Sequence, residues 1–263
     1  MGRIVAIVNQ KGGVGKTATA VSLAAALAIA ERKTLLIDAD PQSNTTRALG
    51  YGEDPERASL YDGMIGDAAL ADLRMPCPEL DYLGLIPADQ NLVGAEVELV
   101  DQESREFRLK SFLEQVGSEY EHVLIDCAPS LGLLTLNALV AADSVLVPVQ
   151  CEYLALEGIR QLMQTIDRVR TSLNPGLEIE GILMTMYDDR TLLSRQVVDE
   201  VRAVFGTKVY KTLIPRNIRM AEAPSHGKPI FLYDIRSKGA EAYLDLAKEF
   251  LGYEAESIGQ GAQ

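Results

Sequence analysis

The chain of 263 residues has no tryptophan, two histidines and three cysteines, and these scarcities narrow the chemistry open to it. Cys77, Cys127 and Cys151 are odd in number, widely spaced and form no C-x-x-C pair. Neither a disulfide framework nor a zinc or iron–sulfur site is expected, and a reducing cytoplasm is the consistent location. Nothing around His226 suggests a catalytic triad, so it reads as a loop hydrogen-bonder. Long apolar runs are also missing. The longest, residues 18–30, is dominated by alanine, interrupted by Thr19 and Ser22, and too short to cross a bilayer. Met1-Gly2-Arg3 leads straight into an apolar stretch, which leaves no room for a signal peptide, and Ala6 stands where a myristoylation signal needs Ser or Thr. There is no internal repeat and no low-complexity segment. Residues 253–263 are polar and glycine-containing, and are expected to be mobile beyond a single domain at 1–252.

What is present is organised as alternation. Apolar runs rich in Val, Ile and Leu at 3–8, 34–37, 82–86, 122–125, 144–148, 180–184 and 209–213 read as buried strands. Between them lie segments with helical spacing, notably 17–30, 104–116, 131–141, 156–172, 193–205 and 240–251. This pattern predicts an α/β fold: a mostly parallel, twisted sheet with helices on both faces, and ligands at the carboxyl ends of the strands.

Directly after the first strand comes Lys11-Gly12-Gly13-Val14-Gly15-Lys16-Thr17-Ala18, and directly after that an alanine-rich helix. Strand, glycine-rich loop and helix in this order form a phosphate-binding loop. Its glycines let successive backbone N–H groups turn inward around a polyphosphate, and the helix N-terminus adds positive dipole. Lys16 reaches the β- and γ-phosphates, and the Thr17 hydroxyl can ligate Mg²⁺. A second lysine, Lys11, opens the loop where the general pattern has glycine. Since Lys16 already serves the phosphates, Lys11 is free to reach a nucleotide held by a facing subunit.

Two further strands end in carboxylates. The second runs into Asp38-Ala39-Asp40-Pro41-Gln42, where an acid can orient a water or hold Mg²⁺ through water, although Asp before Pro is also a common turn former. The fourth ends at Asp126, followed by Cys127-Ala128-Pro129-Ser130; this fits a Walker B carboxylate as well as a simple turn. Cys127 reads as a small apolar filler. Residues 190–238 carry ten bases against four acids, a local +6 within a total of −13, as expected of a polyanion-binding face or of a solvated basic surface.

With both lysines in the loop, the chain resembles the ParA/MinD family of deviant Walker A ATPases. The string from Ile214 to Pro229 resembles the Soj-type chromosome partition members in particular. The resemblance implies a P-loop ATPase using ATP and Mg²⁺, with Lys11, Lys16 and Asp40 supporting hydrolysis and Asp38 in a supporting role. It places nucleotide on residues 11–18, the base against Pro215 and Asn217, and metal on Thr17 and Asp126. DNA contacts map onto Arg190 and Arg219, with Arg216 as a weaker candidate. It further implies an ATP-dependent homodimer that binds double-stranded DNA without sequence preference, associates with the nucleoid and answers to a ParB/Spo0J-type partner. Ala18 departs from the family's usual Thr, which predicts slightly altered nucleotide affinity. The chain begins at the first strand, so an N-terminal helix-turn-helix is not expected. A relative positioning another cargo on the same cycle remains open. A MinD-like membrane role is disfavoured by the acidic stretch after Leu251, and an electron carrier by the cysteine spacing.

Overall fold

The computed structural model describes residues 2–66, 68–116 and 118–252; the tail expected to be mobile, 253–263, lies outside them. The chain runs β1 (Arg3–Ile7), α1 (Lys16–Ile29), β2 (Thr34–Ala39), α2 (Asn44–Ala48), α3 (Leu60–Ile65), α4 (Leu70–Leu73), β3 (Met75–Pro76), β4 (Leu83–Ile86) and α5 (Leu92–Glu98). It continues through α6 (Arg108–Leu113), β5 (His122–Cys127), α7 (Leu133–Ala141), β6 (Ser144–Gln150), α8 (Ala155–Ser172) and β7 (Glu178–Tyr187). The last elements are α9 (Leu192–Phe205), β8 (Val209–Pro215), α10 (Ile218–Glu222), α11 (Ile230–Asp234) and α12 (Lys238–Phe250).

Among the described residues the strands form one eight-stranded sheet in the order β3-β4-β2-β5-β1-β6-β7-β8. The pairings are parallel, as the continuous apolar runs predict, apart from β3 against β4. That short antiparallel strand went unforeseen. Pro76 lacks an N–H to donate, which an edge position tolerates.

Each sheet face has its own core. One is built with α1, α11 and α12, and the other with α3 and α5 to α9. Helix α1 is buried nearly all round because it lies between the sheet and α12, where the Thr19 and Tyr243 hydroxyls meet at 3.0 Å. Its run of alanines and its lack of a polar face follow from that position.

The helix expected over 104–116 is broken. A 3₁₀ turn at Arg105–Phe107 and another at Glu114–Val116 flank α6. Ser104 enters with a left-handed φ of 57°, and the Asn137 amide of α7 takes over the local backbone, donating to the Arg105 carbonyl (2.9 Å) and accepting from Leu109 N (3.1 Å). A buried side chain thus holds what an uninterrupted helical ladder would have satisfied.

From β1 the chain crosses to β2 on one side, returns to place β5 between them, and then builds outward from β6 on the other side. The strand order reverses around β1 and β5. A crevice at their carboxyl ends is the expected ligand position.

Candidate nucleotide site

The register across three neighbouring strands sets the site. Ile7 of β1 pairs with Asp126 of β5, and Asp126 pairs with Asp38 of β2. The phosphate loop therefore leaves β1 level with both acids. Within it Gly13 and Gly15 adopt φ of 75° and 91°, a region that strongly favours glycine, and α1 starts at Lys16. The loop is tied to its neighbours at both ends. Asn9 donates from Nδ2 to the Pro148 carbonyl at 2.7 Å and accepts from Lys11 N at 2.9 Å, while the Thr185 hydroxyl at the end of β7 donates to the Val14 carbonyl at 2.8 Å.

The two lysines are used differently. Lys16 is buried, and its ammonium donates to the Lys11 carbonyl at 3.2 Å. Burial pulls its pKa below the ordinary lysine value, against the opposing pull of Asp126 and Asp40. Lys11 is half exposed at the mouth of the loop and pairs with Glu152, just past β6.

Asp126 is fully buried. Its Oδ2 accepts from the hydroxyls of Thr17 (2.8 Å) and Thr45 (2.7 Å), while its Oδ1 is buried with no hydrogen-bond partner. Burial raises its pKa to about 6. Asp38, also fully buried, is pushed up to about 7 by burial and then by Asp126. It sits inside β2 rather than at the strand exit, and its Oδ2 accepts from both the backbone N and the hydroxyl of Thr46 at 2.8 and 2.7 Å. Asp38 therefore anchors the segment after β2. Asp40 follows the strand, is 7% exposed, and spends one oxygen on Gln42 N at 2.9 Å.

Thr45 and Thr46 carry no motif of their own and were not singled out in the sequence. The signal available was a hydroxyl-rich stretch, Ser43-Asn44-Thr45-Thr46, close behind two acids. Thr185 and Glu152 act on the loop from distant parts of the chain, and Asn9, although it directly precedes the loop, is held by Pro148 far along the sequence, so none of the three carries a local signal.

At the end of β8, Pro215 pairs with Tyr187, and Arg216 N donates to the Tyr187 carbonyl at 3.0 Å. Asn217 caps α10, its Oδ1 accepting from Arg219 N at 2.8 Å. Pro215, Arg216 and Arg190 share an open cleft of about 470 Å³ with Tyr187, Ile218 and Lys238. Arg190 is exposed but held by Asp188 through two bonds of 2.7 and 2.9 Å, which keep the Asp188 carboxyl down at about 2. Arg219 lies outside that cleft and pairs with Glu222 at 2.8 Å and Asp234 at 3.5 Å. The His226 ring stacks on Tyr233, with centroids 4.9 Å apart. Cys127 is fully buried and its thiol is pushed up, as suits a filler. Ala18 lines a small apolar hollow with Val21, Met220 and Ile230.

Comparison with known proteins agrees with this geometry. Residues 2–179 match the AAA_31 family model, described as an AAA domain. The Sporulation initiation inhibitor protein Soj of Bacillus subtilis is 56% identical over 249 residues, covering 95% of this chain and 98% of that protein. The Chromosome partitioning protein ParA of Myxococcus xanthus is 55% identical over 251 residues, covering 95% of this chain and 88% of that protein. Among solved structures, one described as Cobyrinic Acid a,c-diamide synthase from Mycobacterium smegmatis with bound ADP and magnesium is 39% identical, with a TM-score of 0.83 over 95% of this chain and 94% of that one. The cell division ATPase MinD of Pyrococcus furiosus is 26% identical, with a TM-score of 0.79 over 97% of this chain and 100% of that one. More than half identity to partition proteins over nearly the whole length, on the P-loop ATPase fold, shows that the chain belongs to the ParA/Soj family of chromosome-partitioning ATPases.

Proposed function

We propose that the chain, acting through one domain at 1–252, is a nucleotide-gated dimer switch that partitions chromosomal DNA. The observation that carries the reading is the division of labour between its two loop lysines: Lys16 is buried near Asp126 and Asp40, while the Lys11 ammonium is exposed at the mouth and pairs with Glu152. A lysine so placed is suited to a γ-phosphate presented by a facing subunit, which would make dimerisation conditional on ATP.

The residues present fit magnesium. Among the described residues no group of three His, Cys, Asp or Glu side chains is placed to hold a metal, so a protein-only cage is not available. The Thr17 hydroxyl and the buried, unpartnered Oδ1 of Asp126 instead suit a hydrated ion shared with a polyphosphate. Bound there, magnesium supplies neutralisation of charge on the phosphate oxygens. The ADP and magnesium named for the M. smegmatis structure support the same ligands here.

The loop N–H groups cradle the phosphates, and Lys16 moves from the Lys11 carbonyl onto them. Asp40 orients the attacking water by accepting its hydrogen bond. The water oxygen bonds to the γ-phosphorus as the bond to the β–γ bridging oxygen breaks, and the water proton leaves with the phosphate. Turnover stays slow until a ParB/Spo0J-type partner completes the arrangement of the segments after β2 and β5. The paired subunits bring two sets of Arg190, Arg216 and Arg219 onto one duplex, doubling the phosphate contacts and steeply raising affinity. Arg190 and Arg219 must exchange their carboxylate partners for phosphates, so binding should be salt-sensitive. No helix of the described residues is long and apolar enough to cross a membrane. Residence in the cytoplasm, on the nucleoid when ATP is bound, follows from this reading.

The test is binding to a random-sequence duplex with ATP, with ADP and without nucleotide, at low and moderate salt, for the intact chain and for Arg190→Glu. Salt-sensitive binding that needs ATP and disappears in the variant is the expected result. Normal nucleotide binding with no ATP-dependent DNA binding would overturn it.

A further inference from the structure

Strands β7 and β8 form the last pair of the sheet, and their register is broken twice. Ile182 stands opposite Val209, Met184 opposite Leu213 and Tyr187 opposite Pro215. From the first pairing to the second, β7 advances two residues while β8 advances four; from the second to the third, β7 advances three and β8 two. A ladder unbroken from Ile182 would set Ile214 beside Tyr187, and one broken only in β8 would set Arg216 there. Either is a slip of one residue, which turns every following side chain to the other face of the sheet. Both irregularities are therefore needed to bring Pro215 against Tyr187 and to start the turn that carries Asn217.

Each irregularity has its own support. In β8 the surplus falls within residues 210–212, where the Glu249 carboxylate of α12 accepts from Lys211 N at 2.7 Å, Thr212 N at 3.0 Å and the Thr212 hydroxyl at 2.9 Å. Arg202 of α9 donates to the Lys211 carbonyl at 3.1 Å. Consecutive N–H groups of a regular strand point to opposite sides, so one carboxylate takes both only where the strand bulges. In β7 the extra residue falls where Met186 adopts a φ of 52°. This left-handed conformation is costly for a side-chain-bearing residue and is usual for glycine in a bulge. Among the described residues the half-buried Met186 belongs to neither core, so what this position supplies is its backbone conformation rather than packing.

Helix α12 meets the turn as well as the strand. A Cβ on Gly239, at the start of α12, would lie 2.6 Å from Met220 Cγ and 3.6 Å from Asn217 Cβ. One end of the helix thus holds the bulge of β8, and the other lies directly under the segment that follows β8.

We propose that Glu249 and Met186 are positioning residues for the nucleotide base. Glu249 holds the bulge in β8, Met186 supplies the one in β7, and together they set the register from which the Pro215–Asn217 turn begins. The inference rests on the reading that the base lies against this turn. Phosphate binding at residues 11–18 is independent of it.

The test separates base from phosphate. Affinities for magnesium ATP and for magnesium tripolyphosphate are measured by isothermal titration with the full chain and with Asn217→Ala, Glu249→Gln, Met186→Val and Met186→Gly. Tripolyphosphate binding reports an intact phosphate loop, and so a folded variant. The wild type is expected to prefer ATP by at least ~10-fold, and Glu249→Gln and Met186→Val to cut that preference ~3- to 10-fold, as Asn217→Ala does, with tripolyphosphate affinity unchanged. Met186→Gly should keep the wild-type preference, because glycine takes a positive φ freely whereas a β-branched residue resists it. A Met186 that mattered through side-chain packing would give the reverse order. Wild-type preference in Glu249→Gln or Met186→Val, a lost preference in Met186→Gly, or equal losses of ATP and tripolyphosphate binding in these variants would each overturn the positioning role. A wild type that binds the two ligands equally, or an Asn217→Ala chain with unchanged preference, would instead sink the placement of the base, and the inference with it.

Discussion

Asp38 and Asp126 stand opposite each other on adjacent parallel strands, both fully buried, and Lys16 offsets part of the charge of Asp126. Parallel pairing alone puts the carboxylates side by side. The Thr17, Thr45 and Thr46 hydroxyls compensate for part of the cost.

The nucleotide-free protein should therefore lose stability as pH rises. Both pKa values are raised from 3.8, to about 7 for Asp38 and about 6 for Asp126, so between those limits the folded state holds more protons than the unfolded one. The contribution is fully present below pH 3.8 and is lost as pH climbs through 6 to 7. At about 1.4 kcal/mol per unit, the roughly two units of Asp38 and one of Asp126 that lie above pH 5 give a decline on the order of 4 kcal/mol between pH 5 and pH 8. Urea unfolding at pH 5 and pH 8 checks this, and Asp38→Asn should flatten the difference. A stability that rises over this interval in the wild type and is unaffected by the variant would contradict it.

Thr46→Val should destabilise the fold by about 1–3 kcal/mol, because the hydroxyl both donates to Asp38 and accepts from Ala88 N at 3.1 Å in a buried position. Hydrolysis should fall as well, since the same bond anchors the segment carrying Asp40. Thr45→Val is expected to act differently, weakening ATP binding more with magnesium present than with EDTA. Chemical unfolding together with nucleotide titration separates the two.

Thr185→Val removes a side-chain tie to the Val14 carbonyl while leaving the loop sequence untouched. Nucleotide affinity should drop about 5- to 30-fold, the range corresponding to ~1–2 kcal/mol, with the unfolding midpoint little changed. Isothermal titration with ATP and ADP measures it; equal affinity would mean that the glycines set the loop geometry unaided.

The two lysines should separate in their variants. Lys16→Ala should abolish useful nucleotide binding, whereas Lys11→Ala should keep ATP binding and lose the ATP-dependent dimer. Asp40→Ala should instead hold the ATP-bound dimer. Gel filtration with and without ATP reads all three, and a Lys11→Ala chain that dimerised normally would remove the cross-subunit role.

Much of this molecule was legible before its structure. Local pattern is sufficient for α/β alternation, since buried parallel strands are apolar on both faces. It is also sufficient for the phosphate loop, whose glycines, lysines and threonine are consecutive and whose chemistry depends on backbone N–H groups that any such loop presents. That Asp40 and Asp126 stand at or just past the ends of strands could be read because an apolar run precedes each by a short step. Tertiary structure decided the rest, because it depends on register and on contacts between distant segments. Only strand pairing shows that Asp38 is a buried anchor facing Asp126, and that Thr45 shares an oxygen with Thr17 across a gap in sequence. Only the packing of α7 shows that Asn137 breaks the helix expected over 104–116. The separation of charge was partly visible as a basic stretch at 190–238, but its meaning required the strand order. That order sends residues 53–121, with seventeen acids against five bases, and the basic segment to opposite edges of one sheet.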